Sequence, residues 1–569
     1  MTATAPDIVV EDKGLKRGAL GLVSSVVVGL ASTAPAYSLA ATLGLVIAAG
    51  GTLLAGVKAP AIMLISFVPM YLIAVAYQEL NKAEPDCGTT FTWAARAFGP
   101  VVGWLGGWGI IASDVIVMAN LAQIAGSYSF TFVGDLGWHS AAGLANSTLW
   151  STVAGVSWIV LMTYICYRGI EVSARLQYVL LTVEVVVLIV VSVVALAKVY
   201  THHGHAYSIM PSWSWFWPGG MDFGTVIAPA VLATIFIYWG WDTAVACNEE
   251  SDDPGRTPGR AAVISTFLLL ATYALVTVST IAFAGVGTEG IGLGNQENAK
   301  DVFTAIGPSL FGDSVIGKIG MLLLSASILT SAAASTQTTI MPTARTTLSM
   351  GVYRALPQSF AKIHRRYLTP TTSTIVMGVV SVLCYVLFTA ISTDLLTALI
   401  GSVGLMIAFY YALTGFACAW FYRKTLTRNI RDFVMRGLLP LVGGITLSVV
   451  FGYGLVQYSK PDWLKDENHH DVTIFGFGAV GVVGVVGLLL GVVLMFAWRF
   501  ARPEYFRGLT LPRRHDLVLD SPASARSGPA HFGLPDSGDM PTVIAPDLSN
   551  LPPGETAVDT ATGKEFRRG

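Results

Sequence analysis

Two stretches of the sequence place helix-breaking residues and polar groups inside segments that are otherwise apolar. The first contains Ser32, Thr33 and Pro35. Proline removes a backbone donor and clashes with the preceding turn, so a helix should kink or break there. The second contains Gly240 between two tryptophans, with Asp242 close behind. Because an opened helix exposes N–H and C=O groups that hydrocarbon tolerates only around a cavity or a ligand, both stretches predict a binding site within a membrane.

The composition places most of the chain in lipid. Of the 569 residues, 53% are hydrophobic and 12% are charged, and the mean hydropathy is +0.63, whereas soluble domains carry about 25% charged residues. The net charge of −1 gives no reason to expect a nucleic-acid partner. The glycine-rich run at 290–295 has no strand before it, and we find no nucleophile elbow, zinc-ligand spacing or phosphate loop. We therefore expect no enzyme activity, no cofactor and no bound metal.

Twelve apolar runs are long enough, at roughly 20 residues each, to cross a bilayer. We number them spans one to twelve and place them at 19–49, 59–78, 100–130, 149–167, 174–199, 225–247, 260–285, 314–342, 371–391, 395–422, 435–458 and 472–498. Spans one, three and eight are longer than a straight crossing needs, which predicts tilt or interruption. The fold class predicted is an all-α integral membrane protein embedded in the lipid bilayer.

The chain divides into three parts. A polar N-terminal tail covers 1–16, a membrane domain covers 17–500, and a C-terminal tail covers 511–569. The C-terminal tail is rich in proline, serine, aspartate and glycine. Such a segment cannot bury enough apolar surface to fold, so it is predicted to be disordered.

The distribution of lysine and arginine predicts the orientation. With the N-terminus inside, 28 of the 34 lysines and arginines fall on the inner side and six fall outside. Cytoplasmic loops carry such an excess, so we expect a multi-pass protein of the cell (cytoplasmic) membrane with both termini cytoplasmic. The five cysteines lie within spans or at predicted cytoplasmic ends, which argues against a disulfide framework.

Several short motifs, taken together over about residues 15–500, resemble the amino acid–polyamine–organocation (APC) permeases of the bacterial amino-acid permease type. The first is the broken first span itself. The others are Pro85–Phe91 with Phe98-Gly99-Pro100, Ser173-Ala174-Arg175, Gly240-Trp241-Asp242 with the Pro/Gly-rich loop after it, and Ala344-Arg345 with Leu356-Pro357. The resemblance implies a five-plus-five inverted-repeat (LeuT-like) fold. Repeat one would cover about 19–199, repeat two about 225–422, and two extra helices about 435–498.

The resemblance also implies a secondary active transporter that moves amino acids by alternating access, as a symporter or antiporter coupled to H⁺ or Na⁺. The substrate would lie between spans one and six, with spans three and eight closing the cavity. Interrupted segments at corresponding positions of two halves fit this placement. Two other functions stay open: a membrane amino-acid sensor or receptor, and a polyamine or organocation exchanger. A sensor should carry a folded cytoplasmic output domain, and the C-terminal tail predicts none.

A small zwitterion suits the ends of two broken helices. Free N–H groups at a half-helix N-terminus favour a carboxylate, and carbonyls at a C-terminus favour an ammonium group. The N–H groups would come from near Ala36 and Tyr37, although Pro35 lacks one. The residues expected to bind substrate are Ala31, Ser32, Thr33, Ala34, Pro35, Ala36, Tyr37, Asp114, Phe236, Tyr238, Trp239, Gly240, Asp242 and Thr243.

Several of these residues have a second interpretation. Asp114 either lines the cavity or is a structural acid bonded to a neighbouring hydroxyl. By the resemblance Phe236 should stack over the substrate as an aromatic gate; the alternative is a phenylalanine that faces lipid or packs against protein.

Coupling has its own candidates. Glu184 aligns where some proton-coupled relatives carry lysine, and a carboxylate there attracts a cation or takes up a proton. Asp242 could sense the substrate amine or a proton. Ser327, Thr330 and Ser331 could form a sodium-like site with carbonyls of span one, or could simply join helices.

Overall fold

The computed structural model describes residues 12–49, 52–298, 301–465, 470–514, 556–558 and 565–567. Most of the tail expected to be disordered, and the first eleven residues, lie outside the described residues. Within the tail, strands Thr556–Val558 and Glu565–Arg567 pair antiparallel. Leu511 is buried, and the Arg514 amide donates to the Arg96 carbonyl at 3.0 Å. The first residues of the expected tail therefore pack against the membrane domain.

Twelve described helical segments are long and apolar enough to cross a membrane, which confirms the predicted spans. In order they are Leu22–Ile47, Gly56–Ala83, Pro100–Asp135, Thr148–Arg168, Ile170–Tyr200, Phe223–Ala246, Thr257–Ala284, Val315–Val352, Thr371–Ile391, Leu399–Tyr422, Ile430–Tyr458 and Ala479–Ala501. Spans two and eight run further than predicted, to Ala83 and Val352. Their polar last turns are buried among other elements, so packing extends these helices beyond the apolar run.

Shorter elements lie between the spans. The helix of span ten itself begins earlier than its apolar window, at Thr393. Among the short helices are Thr90–Phe98, His139–Ala142 and Val302–Phe311. Two small antiparallel pairs join Ala48–Ala49 to Thr52–Leu53, and Thr473–Ile474 to Phe477–Gly478.

Spans one and six are each interrupted, as predicted. Span one consists of helices Leu22–Ser32 and Pro35–Ile47, and Ala34 between them has a φ of +47°. The first position of the second helix tolerates Pro35, because a backbone N–H at that position would have no intrahelical partner. The helices on either side therefore point their ends at one another across a two-residue gap.

Span six is irregular over most of its length. A π-helical turn, Phe223–Ile227, leads into helix Ala228–Thr234 and a 3₁₀ turn, Phe236–Tyr238. The chain then opens at Gly240, whose φ is +120°, and resumes as the short helix Thr243–Ala246.

The interrupted spans lie inside the bundle. Span three packs against span eight, and span eight contacts both helices of span one and the short inner helix of span six. Tyr37, Trp241 and Tyr238 are fully buried at this centre. Spans four, five, nine, eleven and twelve expose apolar side chains instead, for example Val160 and Leu383. The polar breaks are thus enclosed by protein, as an opened helix in hydrocarbon requires.

Candidate functional site

The two breaks enclose a small cavity between four spans. The free volume inside it is about 10 Å³, which leaves room for about one water molecule. The residues around it are Ser32, Thr33, Ala34, Tyr37 and Ser38 of span one, Val117 and Leu121 of span three, Phe236 and Trp239 of span six, and Ser335 of span eight. In this closed arrangement the cavity is too small for an amino acid, so a substrate requires its walls to move apart.

Gly240 brings the backbones of spans one and six into contact. A Cβ atom built on it would lie 2.8 Å from both the carbonyl carbon and the carbonyl oxygen of Ser32. The Ser32 hydroxyl bonds that of Thr243 at 2.9 Å, and the Ser335 hydroxyl donates to the Ser32 carbonyl at 3.0 Å. Glycine is required here for its positive φ and for this close approach.

Aromatic rings form one side of the cavity. Tyr37 and Phe236 meet edge to face with centroids 6.5 Å apart, and Phe236 lies 6.5 Å from Trp239. Phe236 therefore faces the cavity instead of lipid. The buried Tyr37 hydroxyl has no hydrogen-bond partner among the described residues. An unsatisfied buried polar group costs about 1–3 kcal/mol, so this hydroxyl is available to a ligand.

Glu184 of span five reaches the start of the second helix of span one. Its Oε1 atom accepts hydrogen bonds from the Ala36 amide and the Ser331 hydroxyl, both at 2.7 Å. The Tyr37 amide donates to the Ser331 hydroxyl at 3.1 Å. The two N–H groups expected to meet a substrate carboxylate are therefore engaged by the protein itself.

The two aspartates expected to bind substrate, Asp114 and Asp242, lie outside the cavity wall. Asp242 accepts a hydrogen bond from the Tyr410 hydroxyl at 3.0 Å, and Tyr410 in turn accepts one from the Trp239 indole. Asp114 accepts a bond from the Thr343 hydroxyl at 2.5 Å. For Asp114 this geometry matches a structural acid bonded to a neighbouring hydroxyl, and not a residue that lines the cavity. Hydrogen bonds through Tyr410 and Trp239 connect Asp242 to the cavity.

The three hydroxyls of span eight that were candidates for an ion site differ in what they bond. Ser327 donates to the Leu324 carbonyl at 2.8 Å and Thr330 donates to the Ser327 carbonyl at 3.1 Å, both within their own helix. Ser331 alone of these three bonds another span. The remaining predicted substrate residues lie at the breaks without lining the cavity; they are Ala31, Pro35, Ala36, Tyr238, Gly240 and Thr243.

Sequence reasoning missed four residues of the wall: Ser38, Val117, Leu121 and Ser335. Val117 and Leu121 follow Asp114 at intervals of three and four residues, so all three share one face of span three. That periodicity was the available signal, because a polar residue in a span marks the face that points inward.

An ionic cluster closes the predicted cytoplasmic end of the bundle, here called the inner end. The buried Lys13 ammonium lies 2.9 Å from Asp86 Oδ2 and 2.5 Å from Glu249 Oε1. Asp86 also accepts hydrogen bonds from the Gly88 amide at 2.7 Å, and from the hydroxyls of Thr92, Ser349 and Tyr353 at 2.8 to 2.9 Å. The Pro85–Phe91 motif thus presents a buried anion to the N-terminal segment.

A second buried pair lies beside this cluster. Arg345 of span eight binds Glu250 through two nitrogens, at 2.6 and 2.8 Å. The Glu250 carbonyl accepts from the Ala19 and Leu20 amides at 2.8 and 3.1 Å, and the Leu20 carbonyl accepts from Asp252. The residues before span one are therefore joined to those after span six.

The ionisation of the cluster follows from its partners. Burial alone would raise the pKa of Asp86, but Lys13 and the surrounding donors lower that pKa to about 2. Burial alone would lower the pKa of Lys13, and Asp86 and Glu249 instead raise it. Ionised Asp86 therefore stabilises the folded state fully at pH values above its ordinary pKa of 3.8, and this contribution is lost as the pH falls toward 2. Burial raises the pKa of Glu249.

A family model described as amino acid permease matches residues 19–462. The chain belongs to the amino acid permease family. An uncharacterized transporter of Mycobacterium tuberculosis is 28% identical over 75% of this chain and 84% of its own length. The branched-chain amino acid permease BcaP of Bacillus subtilis is 24% identical over 54% of this chain and 63% of its own.

Among solved structures, MhsT in complex with L-phenylalanine matches with a TM-score of 0.54 at 14% identity, covering 77% of this chain and 99% of that one. This likeness shows the LeuT-like inverted-repeat fold. The resemblance inferred from the motifs is confirmed, and the chain is a multi-pass membrane transporter of this family.

Replacing Gly240 with leucine should abolish substrate binding without preventing membrane insertion. A side chain there meets the Ser32 backbone, and overpacking of about 3 kcal/mol corresponds to at least about 100-fold weaker binding. The measurement is thermal stabilisation of the purified protein by its transported amino acid. Gly452→Leu is the control, since nothing lies within 4 Å of a Cβ at that glycine. Normal affinity in Gly240→Leu would contradict this account of the break.

Removing the Lys13 ammonium should open the inner end more often. Lys13→Ala leaves the buried Asp86 carboxylate without its cation, and breaking a buried pair costs about 3–5 kcal/mol. Cys87 is a buried free thiol in the same cluster. In protein that retains Cys87 as its one cysteine, alkylation should be at least about tenfold faster than with Lys13 intact.

The control for that experiment is Lys16→Ala. Lys16 forms an exposed pair with Glu171 at 2.8 Å, and such pairs contribute about 0–1 kcal/mol. Equal alkylation rates in Lys13→Ala and Lys16→Ala would show that the cluster does not hold the inner end closed.

Proposed function

We propose that this protein moves neutral amino acids with apolar side chains across the cytoplasmic membrane by alternating access, with a cation as the coupling ion. The observation that carries the proposal is the wall of the cavity. Among the ten described residues that form it, none carries a carboxylate, ammonium, guanidinium or imidazole group. The aliphatic and aromatic members suit an apolar side chain, and a charged one would lose its hydration without gaining a partner.

The backbone of the breaks supports recognition of the α-amino group. The outer half of span six ends at Tyr238, and the C-terminal end of a helical segment carries partial negative charge. Carbonyls of Tyr238 and Trp239 are therefore suited to an ammonium group. The free Tyr37 hydroxyl provides a further polar contact at the same cavity.

The relatives point the same way. BcaP is named for branched-chain amino acids, and MhsT was solved with L-phenylalanine. A polyamine would need an acid at each end of the site. Asp114 and Asp242 lie outside the wall and are bonded to Thr343 and Tyr410. A third acid, Glu184, is engaged by Ala36 and Ser331. These contacts favour an amino acid over a polyamine.

The orientation is part of the proposal. The excess of lysine and arginine on one side supports cytoplasmic termini. The cluster of Lys13, Asp86 and Glu249 would then close the cytoplasmic side of the cavity, and its opening would release substrate into the cell.

Uptake by proteoliposomes tests the function directly. L-leucine and L-phenylalanine should be transported, whereas L-lysine, L-glutamate and putrescine should not. Gradients of H⁺ and Na⁺ are imposed separately, and Gly240→Leu provides a folded control without a site. Transport of putrescine but not leucine would indicate an organocation exchanger, and binding without transport would indicate a sensor. Either result would overturn the proposal.

Leu121 should help to set the preferred size of substrate. Leu121→Ala enlarges the cavity, and a methylene in an apolar pocket is worth about 1–3 kcal/mol of discrimination. The ratio of kcat/KM for phenylalanine over leucine should rise about tenfold. Leu387→Ala removes an exposed leucine of span nine and should leave that ratio unchanged. An unchanged ratio in Leu121→Ala would place the substrate side chain elsewhere.

A further inference from the structure

The backbone donors at the break of span one can be accounted for one by one. The Thr33, Ala34 and Ser38 amides donate to carbonyls three or four residues before them, at 3.2, 3.2 and 2.8 Å. Pro35 has no N–H. The amides left are those of Ala36 and the residue after it, and the first of these donates to Glu184 at 2.7 Å.

The second remaining amide is also engaged. Tyr37 donates to the Ser331 hydroxyl at 3.1 Å, and that hydroxyl donates to Glu184 Oε1 at 2.7 Å. Every N–H group from Thr33 to Ser38 therefore has a partner within the protein. A substrate carboxylate finds no free donor at this helix end while Glu184 stays in place.

Glu184 itself is incompletely satisfied. Its side chain is fully buried, and its second oxygen, Oε2, has no hydrogen-bond partner among the described residues. An ionised carboxylate needs several donors to offset the loss of hydration. The groups that face it are the Ala36 amide of span one, the Ser331 hydroxyl of span eight and the Tyr273 phenol of span seven. None of these carries a positive charge.

We infer that Glu184 is an internal competitor of the substrate carboxylate, and that its protonation releases the Ala36 amide for the substrate. This inference rests on the proposed amino-acid transport and names its coupling ion as the proton. The helix N-terminus attracts anions, and the single N–H of Ala36 can serve only one of the two carboxylates at a time. Ionised Glu184 holds the site in the absence of substrate, and neutral Glu184 is a weaker acceptor that a carboxylate displaces.

The transport cycle then balances in charge and protons. A proton from the outer side adds to an oxygen of the Glu184 carboxylate, and the substrate carboxylate takes the hydrogen bond from Ala36. After the inner end opens, the substrate leaves, the proton leaves from Glu184, and the ionised side chain returns to the amide. Each zwitterionic amino acid moves together with one proton, so that transport carries one positive charge.

Binding of L-leucine to the full-length protein as a function of pH is the first test. Above the midpoint of Glu184 protonation, the Kd should rise about tenfold per pH unit, because binding requires one proton. In Glu184→Gln the Kd should not vary with pH. L-leucinol, which keeps the ammonium group and side chain but has no carboxylate, should show no such slope with the unmodified protein.

Uptake provides the second test. Proteoliposomes with the unmodified protein should accumulate leucine under an inward proton gradient, whereas Glu184→Gln should only equilibrate it. Glu171→Gln, an exposed acid at the start of the same span, should accumulate leucine as the unmodified protein does.

If Glu184→Gln does not fold, Ser331→Ala takes its place. That variant removes a donor from the ionised carboxylate, so the midpoint of the pH dependence should move to higher pH. An unmoved midpoint would overturn the inference. So would a pH slope that persists in Glu184→Gln, or accumulation driven by Na⁺ alone. Failure of leucine to bind at any pH would instead overturn the proposed substrate.

Discussion

Backbone groups released where spans one and six open have to be satisfied inside a bundle that excludes water. Hydrocarbon offers them no partner, so other spans must provide one. The Ser32 carbonyl receives a hydroxyl from Ser335, and the Ala36 amide receives the carboxylate of Glu184. The positions of spans five and eight against span one follow from this requirement. The cavity is the space left where these partners meet.

The same requirement links the cavity to the inner end. The short helix after the break in span six runs directly into Glu249 and Glu250, and the first helix of span one is preceded by Lys13 and Leu20. The ionic cluster therefore joins the inner halves of the two broken spans. A ligand shifts an equilibrium only through contacts that differ between the two states. Residues at the breaks can provide that difference, because they contact both the cavity and these inner halves.

The sequence was sufficient for the parts of the fold that depend on local properties. Apolar runs predicted twelve spans, and Pro35 and Gly240 predicted the two breaks, because proline and glycine act on their own backbone. Contacts between residues that are far apart in the chain could not be predicted from the sequence. Glu184 lies 148 residues from Ala36, and Lys13 lies 236 residues from Glu249. Val117 and Leu121 were missed for a different reason: their spacing from Asp114 places all three on one face of span three, and that periodicity was not used.

Two buried carboxylates show how one bundle uses the same chemical group in opposite ways. Asp86 has a lysine partner and four other donors, so its charge is fully compensated and it stabilises one closed arrangement. Glu184 has two neutral donors on one oxygen and none on the other. A fully satisfied polar network is rigid, whereas a buried carboxylate with a bare oxygen is costly to keep ionised. The carboxylate suited to hold a gate is therefore the first, and the carboxylate suited to change its state during each cycle is the second.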